Sequence, residues 1–292
     1  MKKKQKTSRT IKYGLFKPAG NDTALVYGTD YDAREKKRIN DIIMARHSTG
    51  NSSGFVVEQV GFISCGSSPE LQMAGGEFCG NATRSAASVY LKGKQGNIEM
   101  IVNSKDHVNT GVDRDGKAWC EIPLYYGPDV ITKKEDGIFL VKMHGMVTVV
   151  IQPFAAEKYL ANVDDEQLKA YGTSFIHKYH LEENEAVGVM FCENKGDAIK
   201  INPIVWVNAI DTLFYETACG SGTTATAMVY AFMKNTSLNL DVVQPSGLII
   251  TASIIYKEGI FEKATIVGDV ETDGKFYTFE LEEDQGYECT EN

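Results

Sequence analysis

The 292-residue sequence predicts an α/β (α+β) fold built from two related halves. Strand-like and helix-like stretches alternate along the whole chain, and the same order of elements occurs twice. A Cys-Gly-polar segment then opens a run of small, helix-compatible residues at the matching point of each half. The composition, 43% hydrophobic and 24% charged, is that of a globular chain with material for a sizeable core.

The elements follow in order. In 11–28, two strand-like runs flank the turn "PAGND" at 18–22. The stretch 33–49 sets Ile39, Ile42 and Ile43 at helical spacing among charges. Strands are expected in 54–64 and 68–77, a helix from Ala82 to Lys92, and shorter strands in 96–104 and 118–124. The order recurs from about residue 136. Strands in 137–154 lead to a helix at 164–179 with an acidic start, and strands follow in 186–194 and 198–209. Residues 212–222 deliver a second cysteine to a helix at 223–234, and strands fill 240–274. The turn-rich 125–137 is the natural junction, so the halves are expected at 1–134 and 135–274.

A net charge of −9 argues against a nucleic-acid or anionic-membrane partner. The basic "MKKKQK" at 1–6 reads as a solvated tail, because no apolar stretch follows it to make a secretory signal. The longest apolar runs are too short and interrupted to span a bilayer. Six unevenly spaced cysteines do not form a disulfide framework, and no Cys-x-x-Cys or His-x-x-x-His pair suggests a metal site. A cytoplasmic protein with free thiols is expected.

The two cysteine segments are "GEFCGNATRSAA" at 76–87 and "ETACGSGTTATAM" at 216–228, with Cys79 and Cys219 lying 140 positions apart. Alone, Cys79 reads more readily as a small buried hydrophobe, the commoner fate of a free cysteine. Paired, the segments place two thiols at two helix starts, where the helix dipole would lower their pKa. If the halves face each other, the amides at both helix starts would hold a small carboxylate without any lysine or arginine. A thiol on each side of that ligand's α-carbon could remove a proton from one face and return one to the other. This scheme needs no cofactor and no metal. A cysteine-hydrolase reading would need a histidine base, and His47, His107, His144, His177 and His180 form no local signature for one. "GSGTT" at 220–224 lacks the Lys-Ser/Thr of a nucleotide loop.

These motifs resemble the diaminopimelate-epimerase-like, PLP-independent amino-acid racemases, whose Cys-Gly-Asn and Cys-Gly-Ser/Thr-Gly segments both stand here. The resemblance runs over nearly the whole chain. It implies two pseudo-symmetric domains, each a sheet wrapped around a central helix, and a homodimer. It also implies that the first domain is completed by a strand within 275–292. By match to the motifs, Cys79 and Cys219 become the acid/base pair. Gly80, Asn81, Gly220 and Ser221 become the α-carboxylate cradle. "KPAGNDT" makes Asn21 a substrate contact, and "EQVGFI" at 58–63 makes Glu58 another.

The departures bear on the substrate. The approach to Cys219 has no arginine to hold a distal carboxylate, which disfavours diaminopimelate. The wording "GGEFCGNAT", "VEQVGFI" and "QPSG" is most similar to the histidine racemases of this family. Glu77 and Glu216 are candidates to assist the thiols, and His144 or Thr148 to replace a missing family histidine. The expectation is therefore an isomerase interconverting L- and D-histidine. The alternatives are a racemase or epimerase of another amino acid, diaminopimelate included, and a non-catalytic amino-acid-binding protein.

Overall fold

The computed structural model describes residues 8–49, 54–127 and 129–282, so the basic segment at 1–6 lies outside the described residues. The first half runs β1 (Ser8–Lys17), β2 (Asp22–Tyr27), α1 (Ala33–Arg46), β3 (Val57–Ile63), β4 (Glu70–Met73), α2 (Gly80–Tyr90), β5 (Gly96–Val102), β6 (Asp106–Val112) and β7 (Ala118–Glu121). Next come β8 (Ile131–Glu135), β9 (Ile138–Met143), β10 (Met146–Ile151), α3 (Pro153–Leu160), α4 (Asp165–Lys178), β11 (Ala186–Lys195) and β12 (Ala198–Val207). The chain continues with β13 (Thr212–Tyr215), α5 (Gly220–Lys234), β14 (Leu238–Val243), β15 (Ile249–Lys257), β16 (Ile260–Gly268), β17 (Glu271–Thr272) and β18 (Tyr277–Glu282).

The strand pairings repeat. In the first half β1–β2 is antiparallel, β2–β3 parallel, β3–β4 antiparallel, β4–β5 parallel, and β5–β6 and β6–β7 antiparallel. In the second half β9–β10, β10–β11, β11–β12, β12–β14, β14–β15 and β15–β16 follow the same sequence of senses. The two ladders join where β7 meets β16 antiparallel, with Cys120 opposite Ile266. Antiparallel pairing of corresponding strands is what a local twofold requires. β18 returns to pair with β1, and β8 pairs with β9.

Helix composition explains the wrapping. The buried stretches of α2 and α5 are rich in Gly, Ala, Ser and Thr, so strands can close around these helices at short range. The outer helices carry ordinary start signals. Asp32 and Glu35 form a capping box on α1, and Asp164 and Gln167 form one on α4.

The sequence reading needs four corrections. α2 and α5 begin at Gly80 and Gly220, earlier than expected, because Cys79 and Cys219 are themselves the N-caps. α3 stands where the end of a strand was expected. Pro153 sits at its first turn, where a missing N–H costs nothing. β6, in 106–112, went unrecognised because polar His107 and Asn109 make up its exposed face. The expected junction carries β8 rather than turns alone, held in register by β9.

Candidate active site

Each thiol caps its helix in the same way. Cys79 Sγ accepts from the Ala82 N–H at 3.4 Å, and Cys219 Sγ accepts from the Gly222 N–H at 3.4 Å. Both line one cavity of about 40 Å³, together with Asn21, Gln59, Glu77, Gly80, Asn81, Glu216, Gly220 and Ser221. The helix starts approach closely through one side chain. A Cβ on Gly80 or on Gly220 would stand 2.8 Å from the same Ile266 Cδ1.

The loop before α5 is clasped by the first half. The Asn21 N–H donates to Thr217 Oγ1 at 2.6 Å, Ser246 Oγ donates to the Ala19 carbonyl at 2.6 Å, and Asn81 Nδ2 donates to the Ala218 carbonyl at 3.2 Å. Gly20, at φ +104°, permits this approach. A Cβ there would lie 2.8 Å from the Thr217 carbonyl oxygen. Asn21 is buried with its Oδ1 unpartnered, an acceptor facing the cavity wall.

The expected depression of the thiol pKa values is not what the site produces. Burial pushes the Cys79 thiol up to about 12, against the hydrogen bond from Ala82, with Glu216 and Glu77 adding to the rise. Burial, and then the charge of Glu216, raises Cys219 well above its ordinary value. Removing a thiolate from water outweighs one turn of helix dipole. Burial also raises Glu216 to about 8 and Glu77 to about 7. Near neutral pH the two thiols therefore keep their protons.

The two thiols have different partners. Cys79 Sγ donates to Gln59 Oε1 at 2.9 Å, and Gln59 Nε2 donates to Thr23 Oγ1 at 2.7 Å. Cys219 lies beside Ser221 Oγ at 3.4 Å and in electrostatic contact with Glu216. Gln59 escaped the sequence reading, although it adjoins Glu58 in the quoted "EQ". Arg84, inside the quoted "CGNATRSAA", escaped it too. The guanidinium is buried behind Asn81, so the cradle is not free of arginine.

The remaining candidates are distributed as follows. Glu58 lies on an adjoining cavity, also about 40 Å³, that shares Gln59, Glu77 and Glu216 with the first. Its carboxylate accepts from the N–H and the hydroxyl of Thr217. His144 is paired with Asp106 at 2.8 Å, and Thr148 is buried in β10 with Oγ1 unpartnered. Neither is in the wall of the thiol cavity. Among the described residues, no cluster of three or more His, Cys, Asp or Glu side chains is arranged to hold a metal ion. Nor is any described helix long and apolar enough to cross a membrane.

This fold, with a thiol at the start of each central helix, defines an isomerase of the PLP-independent amino-acid racemase class. The family model described as the histidine racemase CntK N-terminal domain matches residues 10–277. The chain belongs to that family. It is 30% identical over 244 residues to a histidine racemase of Fusobacterium nucleatum subsp. nucleatum, covering 79% of this chain and 84% of that protein. It is 26% identical over 276 residues to a histidine racemase of Staphylococcus aureus, covering 84% of this chain and 89% of that protein. A hydroxyproline epimerase from Agrobacterium vitis shares the fold at a TM-score of 0.56 and 13% identity, covering 97% of this chain and 96% of that one. So does a Bacillus anthracis phenazine biosynthesis protein of the PhzF family, at 0.59 and 12%, covering 93% and 99%.

Proposed function

We propose that the protein interconverts L- and D-histidine by passing the α-proton between Cys79 and Cys219. One observation carries the reading: a thiol from each half caps a central helix and lines the same cavity. The activity named for the Fusobacterium and Staphylococcus relatives supports histidine as the substrate.

In this reading the α-carboxylate sits at the amides of Gly80, Asn81, Gly220 and Ser221, where two helix starts offer N–H donors. The ammonium meets the unpartnered Asn21 Oδ1 and the Glu216 carboxyl. The adjoining cavity beside Glu58 and Glu77 is the space left for the imidazole. One cysteine acts as thiolate and takes the α-proton as the Cα–H bond breaks. The electron pair is delocalised onto the carboxylate, where the helix starts stabilise it. The other thiol gives its proton to the opposite face of the α-carbon and is left as thiolate. In the reverse direction the two exchange roles.

A homodimer in a reducing cytoplasm completes the proposal.

The test is proton NMR of the reduced protein with L-histidine in deuterated water, with chiral chromatography alongside. Loss of the α-proton signal together with appearance of D-histidine is the expected result. Exchange with another amino acid alone would replace the substrate, and no exchange with any would remove the catalytic reading.

A further inference from the structure

Arg84 is the largest fully buried side chain among the described residues, with no exposed surface. It lies on α2, one turn past Asn81. Its Nη2 donates to Asn81 Oδ1 at 2.8 Å and to the Pro18 carbonyl at 3.1 Å, while Nε and Nη1 have no partner. No acidic side chain among the described residues makes an ion pair with it; the charged and titratable groups it feels are Cys120, Cys79 and Asp269. The backbone is shaped around it, since a Cβ at Gly268 would stand 3.0 Å from Nη1.

A buried guanidinium in no ion pair, with Asp269 the one carboxylate acting on it, is unfavourable, and an apolar side chain would serve packing better. Its position gives the reason to keep it. Asn81, held by Arg84, bonds the carbonyl of Ala218, the residue before Cys219. Pro18, also held by Arg84, precedes the loop that carries Asn21. The cation thus stands behind Asn81 and the start of the Asn21 loop, and negative charge in the cavity adds to the partial balance that Asp269 supplies.

We propose that Arg84 is a positioning residue. It acts through Asn81, and its buried charge, held in no ion pair, favours the state in which the cavity contains a carboxylate ligand and a thiolate. The inference rests on the reading of Cys79 as a reacting group. It goes beyond that reading by giving the site a fixed internal counter-charge.

The groups facing Cys79 are Glu77 on its own loop, Glu216 before α5, Cys120 on β7, Cys219 across the cavity, and Arg84. Arg84 is the cation of that set, so its removal has a definite sign. The experiment compares Arg84→Gln, Arg84→Met and Arg84→Lys. It measures the rate of iodoacetamide alkylation of Cys79 at about pH 7.5, located by peptide mass spectrometry, and KM and kcat for histidine. For the Gln and Met variants the rate is expected to fall about tenfold, the loss of thiolate that a shift of one pKa unit gives. KM should rise as well, with thermal stability kept or increased. Arg84→Lys should keep the rate.

A Gln variant with wild-type alkylation rate and KM, or a Lys variant slowed as far as the Gln variant, would overturn the proposal. So would failure of both Gln and Met variants to fold, because the cation would then be holding the structure together. Alkylation does not require turnover. An unreactive histidine with the expected slowing of alkylation would remove the proposed substrate and leave Arg84 in its role.

Discussion

Glu58 on β3 reaches across to the second half and accepts a hydrogen bond from the backbone N–H of Thr217 at 3.0 Å, as well as from its hydroxyl. Thr217 lies two residues before Cys219, so a carboxylate of one half sets the entry angle of the thiol-bearing helix of the other. Burial raises Glu58 to about 7, with the Thr217 bonds pulling the other way. Glu58→Gln and Thr217→Val should each lower both stability and isomerase activity. In a double-mutant cycle followed by urea melts, the pair is expected to couple by about 1–3 kcal/mol. Additive effects would mean that the contact does not hold the loop.

The thiols carry the proposed chemistry, so Cys79→Ser and Cys219→Ser should each lower kcat by about 10²–10⁴-fold. Both variants should still be stabilised by histidine in a thermal shift assay, since the amides of the cradle are backbone. Wild-type turnover in either variant would end the two-thiol scheme.

Ile266 sits between the two helix starts, and its Cδ1 would lie 2.8 Å from a Cβ on Gly80 or on Gly220. Gly80→Ala is therefore expected to destabilise by about 1–3 kcal/mol through overpacking, despite alanine's better helix propensity. Gly220→Ala should behave alike. Ile266→Ala in the same chain should recover part of the loss, read as the difference in chemical-denaturation midpoints. Stabilisation by either alanine alone would show that the close approach is not constraining.

Glu58, Glu77 and Glu216 are raised by burial to about 7, 7 and 8 from an ordinary value of 4.5. Between about 4.5 and 8 the folded chain therefore binds more protons than the unfolded one. Stability then falls as pH rises through this window, with the contribution fully present below the unfolded value and lost above the folded ones. The melting temperature should decline from pH 5.5 toward about pH 8.5, and Glu77→Gln should flatten the decline. A melting temperature that stays level or climbs across this range would contradict the burial of these carboxyls.

The sequence by itself determined the duplication, both thiol segments and most elements. These are local signals: small residues after Cys-Gly for α2 and α5, acidic caps for α1 and α4, and alternation for the long strands. It placed Cys79, Cys219, Gly80, Asn81, Gly220 and Ser221 at helix starts, because helix starts are written in adjacent residues. Family membership was legible for the same reason. It did not reveal that the thiols would be neutral, since a helix dipole is local whereas desolvation depends on what closes over the site. Nor did it reveal the bonds of Glu58 to Thr217, 159 positions away, or of Gln59 to Cys79, 20 positions away. Arg84 stood in the quoted motif and still went unread. Its meaning lies in having no exposed surface and no ion pair, and packing alone decides both.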